Sequence, residues 1–353
     1  MPNPSALPPA SPAAALREIS YWLDRARSDS RRSTAFRTSA TLLERLTTQE
    51  YESRALSGTW SEIPGIGPSS ATVIVQALEG RVPDYLAKVR AAAKPLATEG
   101  KALRALLRGD LHTHTEESDG SAPIEEMVVA AAALGQEYLL VTDHSPRLTV
   151  AHGLTAERLA DQGRRIDDLN EVAPLRVLKG IEVDILDTGA LDQSPAALAA
   201  LDIVVASVHS KLSQDAESMT MRMVSAIANP RTNVLGHCTG RLVEGERGLR
   251  NESRFDAEVV FEACRQFGVA VEINSRPERR DPPTRLLELA RNIGCLFSID
   301  TDAHAPGQLE FLDYGCARAY AAAIPPERIV NTWPLDELLD WAVPDSLRRG
   351  RRT

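Results

Sequence analysis

The sequence predicts an α/β protein in which a small all-helical domain precedes a larger domain of parallel strands. Two observations carry this reading. Seven short β-rich runs alternate with helical stretches beyond residue 107, and the segment before them shows helical periodicity alone. Parallel neighbours need helical crossovers, so such a pattern describes a parallel barrel or a doubly wound sheet. With 353 residues, 43% of them hydrophobic and 25% charged, the chain is long enough for two domains with their own cores.

Residues 1–13 are rich in Pro, with no basic cluster and no continuous apolar run, and are expected to be a disordered leader rather than a signal peptide or membrane span. Over 14–58 the apolar residues Ile19, Trp22, Leu23, Ala35, Leu42, Leu43 and Leu46 recur at three- and four-residue spacing, which predicts helices. Ile63-Pro-Gly-Ile-Gly-Pro-Ser-Ser-Ala71 then leads into an apolar helical run that stops at Gly80, and the helical domain is expected to end near 95. The larger domain, 105–343, places strands at 109–112, 138–142, 176–185, 203–208, 233–235, 269–273 and 296–299. Helices fall near 122–134, 155–171, 216–228, 255–267 and 283–293. Arg348, Arg349, Arg351 and Arg352 close the chain as a basic tail over 344–353.

Cys238, Cys264, Cys295 and Cys316 form no Cys-x-x-Cys pair, which argues against a zinc ribbon or redox motif and for a reducing, cytoplasmic setting. Charge divides unevenly: residues 1–100 carry 12 Lys and Arg against 10 Asp and Glu, leaving 28 against 39 for the rest. An acidic domain is by itself a poor binder of DNA phosphates.

The block at 63–71 resembles the helix-hairpin-helix, whose Gly-Ile-Gly turn brings backbone N–H groups and a helix N-terminus against a DNA phosphate. The resemblance implies DNA contact through Gly65, Gly67 and Ser69. The plainer alternative is a tight interhelical turn in which Gly supplies positive φ.

Six of the seven histidines stand at or just past the end of a β-rich run: His112, His114, His144, His209, His237 and His304. Asp119, Glu182 and Asp302 share those ends, on the face where parallel barrels build their sites. Nine nitrogen and oxygen donors exceed what one ion can use, so two or three metals are implied. His152 matches no strand end and is expected at the surface.

Val-Leu-Lys-Gly-Ile-Glu-Val-Asp-Ile-Leu (177–186), Val-Ala-Ser-Val-His-Ser (205–210) and Ser-Ile-Asp-Thr-Asp-Ala-His (298–304) resemble the PHP family of polymerase and histidinol phosphatase metallohydrolases. Within it they are similar to the C-terminal domain of bacterial family X DNA polymerases, and residues 14–90 look like the small DNA-binding domain of those enzymes. The resemblance implies a distorted seven-stranded barrel and three divalent ions of zinc, manganese or iron. His112, His114, Glu182 and Asp302 would hold the first; Glu182, His209 and His237 the second; Asp119, His144 and His304 the third. Glu182, His209 and Arg241 are expected to act in catalysis, with Lys179, Arg276 and Arg279 as further phosphate binders and Ser210 and Asn274 as orienting groups. Asp143 and Asp300 are expected either to orient ligands or to serve structure alone.

Two departures limit the resemblance. Only about 28 residues separate Gly80 from the first metal strand, too few for a palm and fingers, and the position of the family's lyase lysine is Val73. Polymerisation and lyase chemistry are therefore not expected. The function implied is phosphoester hydrolysis on DNA: 3′→5′ exonuclease, 3′-end cleaning or abasic-site cleavage. A small-molecule phosphomonoesterase and a non-enzymatic tether are the alternatives, and no membrane partner is expected.

Overall fold

The computed structural model describes residues 9–245 and 248–344, so the first eight residues of the expected leader and the basic tail from 345 onward lie outside the described residues. Two compact units make up the chain: one runs to Pro95 and takes in Pro306–Gln308, and the other holds Leu96–Ala305 and resumes at Leu309.

The first unit is all helical. Helices Pro12–Arg25, Ser30–Glu44 and Thr48–Ser57 occupy the stretch in which periodicity predicted them. The first starts inside the expected leader, because Ser11 accepts from Ala14 N and Pro12 sits where no N–H is needed. Leu16, Ile19, Phe36, Leu43, Trp60, Ile66 and Ile74 form its core. The hairpin is pinned from beneath. Ile66 is buried, its N–H donates to Ile63 O at 2.9 Å, and Ser39 Oγ donates to Gly65 O at 3.2 Å. Gly65 has φ +100°, and a Cβ there would fall 2.7 Å from Leu42 Cδ1, so the turn requires glycine.

In the second unit all seven strands are parallel neighbours in sequence order: β1 Gly109–Thr113, β2 Tyr138–Val141, β3 Arg176–Asp184, β4 Ile203–Ser207, β5 Val234–Leu235, β6 Ala270–Asn274 and β7 Phe297–Asp300. The alternative left open by the sequence is thus resolved as a nearly closed barrel. The strands are buried along almost their whole length, as expected when helices cover the sheet.

Between β1 and β7 side chains replace the missing ladder. Asn331 Nδ2 donates to Gly109 O, Ile299 O and Asp300 Oδ1 at 3.2, 3.1 and 2.9 Å, and its Oδ1 accepts from Ile299 N at 2.7 Å. Asp110 accepts from Thr301 N and Asp300 from Leu111 N. Burial pushes both carboxyls above the usual range. Asp300 therefore ties the seam rather than a metal ligand.

Candidate metal centre

Every strand end named from the sequence delivers its side chain to one buried cluster. β1 carries His112 and, just past its end, His114; β3 carries Glu182, and the turns after β2, β4, β5 and β7 carry His144, His209, His237 and Asp302 with His304. β5 is only two residues long, and a Cβ at Gly236 would lie 2.2 Å from Ser207 Oγ; glycine lets the chain pass close enough to place His237. Asp302 has φ +53°, a left-handed conformation rare outside Gly, Asn and Asp and frequent at functional sites.

Glu182 is the hub. Its Oε2 lies 3.3 Å from His112 Nε2, 3.6 Å from His114 Nε2 and 2.9 Å from His144 Nδ1. Its Oε1 lies 3.2 Å from His209 Nε2 and 2.7 Å from His237 Nε2. His114 Nε2 is also 3.4 Å from Asp302 Oδ1. A second focus is Asp119 Oδ1, 3.4 Å from His144 Nε2 and 3.3 Å from His304 Nε2.

These residues pass a direct test of fit to metal. His112 Nε2, both nitrogens of His114, and His209 Nε2 are buried with no hydrogen-bond partner, which a protein core rarely tolerates. Ligands at 2.0–2.1 Å from a tetrahedral ion stand about 3.3 Å apart, close to several of the separations found. Among the described residues three clusters could hold an ion: His114, Asp119, His144 and His304; His112, His114 and Glu182; and His144, Glu182 and His209. Imidazole with carboxylate and no thiolate suits Zn²⁺, Mn²⁺ or iron.

Burial opposes charge on the buried members, and at Glu182, Asp302, His112 and His209 the opposite charges outweigh it. Around Glu182 the histidines outweigh burial and hold its carboxyl well below the usual range, and Arg279 and Arg276 do the same for Asp302. Glu182 and Glu272 push His112 well above the ordinary histidine value, and Glu182 and Asp184 push His209 up to about 9. Burial pushes His114 down to about 3, helped by the charges of His304 and His144. Asp119, His304 and His209 keep 32%, 18% and 13% of their side chains exposed, so the cluster opens to solvent on their side.

The groups that orient the ligands are not all the expected ones. Asp143 touches no histidine ring; it accepts from Thr115 N, Thr115 Oγ1, Ser118 Oγ and Gln162 Nε2, at 2.5–2.8 Å, and so fixes the loop carrying Asp119. Ring orientation falls to Glu272, 2.6 Å from His112 Nδ1, and to Asp184, 2.5 Å from His209 Nδ1. Sequence reasoning passed over both. Their signal was a carboxylate inside an apolar strand and a second acid two residues after Glu182.

Arg241 donates to Arg279 O, Arg280 O and Glu252. Its guanidinium is engaged in stapling two rim loops rather than turned to the cluster. Lys179 pairs with Asp167 at 2.6 Å, away from the site, and Ser210 holds Arg222. Arg276 and Arg279 do reach the ligands: Arg279 Nε donates to Asp302 Oδ2 at 2.9 Å, and Arg276 Nη1 lies 2.9 Å from His304 Nδ1. Asn274 Nδ2 donates to Asp302 Oδ2 at 3.2 Å. His152 is exposed and belongs to no cluster. In the helical unit Gly65, Gly67 and Ser69 are all exposed around the start of helix Pro68–Leu78, and Val73 is buried.

A parallel barrel with this rim of imidazoles and carboxylates is built like a metal-dependent hydrolase, and the domain it matches and its relatives make the ester a phosphoester. Residues 110–276 match the PHP domain, so this stretch of the chain carries a domain of that kind. It is 38% identical over 233 residues to the DNA polymerase/3′-5′ exonuclease PolX of Bacillus subtilis (strain 168), a match covering 66% of this chain and 40% of that protein. A probable phosphatase of Thermoanaerobacter sp. (strain X514) is 28% identical over 235 residues, covering 63% of this chain and 89% of the relative. A solved histidinol phosphate phosphatase from Lactococcus lactis, complexed with zinc, L-histidinol and phosphate, is similar with a TM-score of 0.44 and 16% identity, over 62% of this chain and 94% of that one. Among the described residues no helix is long and apolar enough to cross a membrane.

Proposed function

We propose that this chain is a cytoplasmic DNA phosphodiesterase with a trinuclear centre, acting as a 3′→5′ exonuclease or on damaged 3′ ends and abasic sites in repair. Supporting the DNA reading is the presence in one chain of a barrel similar to PolX and an exposed Gly-Ile-Gly hairpin. Pro68 lacks an N–H and Gly67 offers no side-chain cap, so the N–H groups of Ser69 and Ser70 precede the first bond of that helix, from Ala71 N to Gly67 O at 2.9 Å.

His112, His114, Glu182 and Asp302 would hold one ion; Glu182, His209 and His237 a second; Asp119, His144 and His304 the third. The division of Glu182's two oxygens between two sets of histidines supports its role as the bridge. Divalent ions held there would supply Lewis acidity toward a phosphoryl group and would acidify bound water. The chain's own contribution is binding and orientation. Arg279 keeps Nη1 buried and without a hydrogen-bond partner beside Asp302, a donor suited to a substrate phosphate oxygen, while its Nε holds Asp302 in place. Asp302 O accepts from Arg276 Nη1 at 3.1 Å and stands 2.9 Å from His304 Nδ1, so with that ring proton on Nδ1 the Nε2 of His304 is left for an ion. Substrate enters from the open side formed by Asp119, His304 and His209.

A small-molecule phosphomonoesterase is the second reading, favoured by relatives described as probable phosphatases and covered over nearly their whole length. Incubating Mn²⁺-loaded protein with an end-labelled duplex and, in parallel, with a panel of phosphomonoesters separates the two. Shortening of the duplex is expected; faster turnover of a monoester than of any oligonucleotide would overturn the DNA reading.

A further inference from the structure

We propose that Glu272 is a positioning residue that ties together the two ion sites sharing Glu182, an inference that rests on the metal assignment above. Glu272 lies in the middle of β6 between Val271 and Ile273, wholly inaccessible to solvent, and belongs to none of the candidate ion clusters among the described residues. Its two oxygens serve two different ligands. Oε1 is 2.6 Å from His112 Nδ1, and Oε2 accepts the backbone N–H of His237 at 2.5 Å. Asn274 Nδ2 spans from Oε2, at 3.3 Å, to Asp302 Oδ2, at 3.2 Å, and extends the same network to a third ligand.

Residue type matters here. A buried carboxylate is costly unless its oxygens are paired, and this one accepts N–H donors on both. A glutamine would turn its NH₂ group toward one of those donors, so it cannot serve His112 and His237 together. With its Nδ1 proton held by Glu272, a neutral, ion-binding His112 must present the lone pair of Nε2, the atom that faces Glu182 at 3.3 Å and has no hydrogen-bond partner. At His237 the hold is on the backbone, at the exit of a strand only two residues long. One carboxylate therefore sets the ring of a first-site ligand and the chain position of a second-site ligand. The contacts of Asp119 and His144 run to each other, to His304 and to Glu182, so the third site should not depend on Glu272 directly.

Two measurements test this on the full chain. In the first, chelator-stripped wild type and Glu272→Gln are titrated calorimetrically with Mn²⁺ alone. The variant should lose about 10–100-fold in affinity for two ions, the range found when a partner behind a metal ligand is removed, and keep the third. In the second, ¹⁵N-histidine NMR of the Zn²⁺-loaded wild type should show His112 with its proton on Nδ1, slow to exchange, a result that requires no variant to fold. Wild-type affinities in Glu272→Gln would overturn the proposal. So would equal weakening of all three ions together with a lower melting temperature of the metal-free protein, or a His112 proton on Nε2. A wild type that binds one ion or none would overturn the metal assignment itself, and the coupling with it, before any variant is made.

Discussion

Asp184 Oδ1 lies 2.5 Å from His209 Nδ1, while Glu182, two residues earlier on the same strand, offers Oε1 to the other nitrogen of that ring at 3.2 Å. Alternation along a strand puts residues i and i+2 on one face, so β3 grips the imidazole from two sides with a single segment. Glu182 faces the proposed ions and Asp184 stands behind the ring.

Asp184→Asn should therefore weaken the ion held with His237 by about 10–100-fold. Mn²⁺ titration at pH 9.5 is the appropriate measurement, since competition from the His209 proton is then small and only the lost orientation is read. Affinity equal to wild type at that pH would show that the contact with Asp184 contributes nothing to ligation.

Metal binding should depend on pH in a defined direction. Without ions, His112 is pushed well above the ordinary histidine value and His209 to about 9, so both are protonated at neutral pH. An ion must displace those protons, and its affinity should rise as pH increases from 6 toward 9 and fall on acidification. Calorimetry at pH 7.5 in buffers of contrasting ionisation enthalpy should report release of about two protons as the Glu182 sites fill. Heats independent of the buffer would contradict this.

Protein purified without chelator should contain two to three transition-metal ions per chain by elemental analysis, since nine donors in one cluster cannot be satisfied by one ion. One ion or fewer would sink the trinuclear assignment. Glu182→Gln should lower this count and abolish hydrolysis, because it removes the shared carboxylate. His152→Ala should change neither, its side chain being exposed and outside every cluster.

The sequence made the ligands readable because each interrupts a strand end with an imidazole or carboxylate that nothing at a barrel rim would otherwise require. The strands were readable from their β-branched runs, and their observed bounds lie within about two residues of those expected. What stays hidden in a sequence is the partner of a buried polar group. Glu272 and His112 are 160 positions apart, and Asn331 meets Gly109 across 222. Arg241 was misjudged for the same reason. Being next to the His237 turn suggested a substrate contact, yet two bonds to the neighbouring loop and one to Glu252 hold its guanidinium there. Helices Leu312–Ala321 and Leu335–Ala342 also went unread. In the first, Gly315 stands on the buried face between Leu312, Cys316 and Ala319 and blurs the pattern, whereas Leu335, Leu338, Leu339 and Ala342 recur at helical spacing and were legible in the second.

The role of the hairpin can be separated from the stability of its fold at a single position. Gly65 is unsuitable, because its positive φ and its closeness to Leu42 would make any side chain a folding defect. Gly67 is suitable: its φ is −78°, and a Cβ there would meet nothing within 4 Å. Gly67→Val should fold with at most a modest loss of stability, since valine is a poorer N-cap than glycine, while placing a branched side chain where a phosphate must reach the N–H groups of Ser69 and Ser70. If the hairpin delivers DNA to the barrel, KM on duplex DNA should rise roughly 3- to 30-fold, the size of a lost contact at a helix N-terminus. Turnover of a small activated phosphodiester should be unchanged, because the substitution leaves every residue of the metal centre in place. Identical kinetics on both substrates would mean that the turn only joins two helices, and the DNA reading would then lose the support of its N-terminal unit.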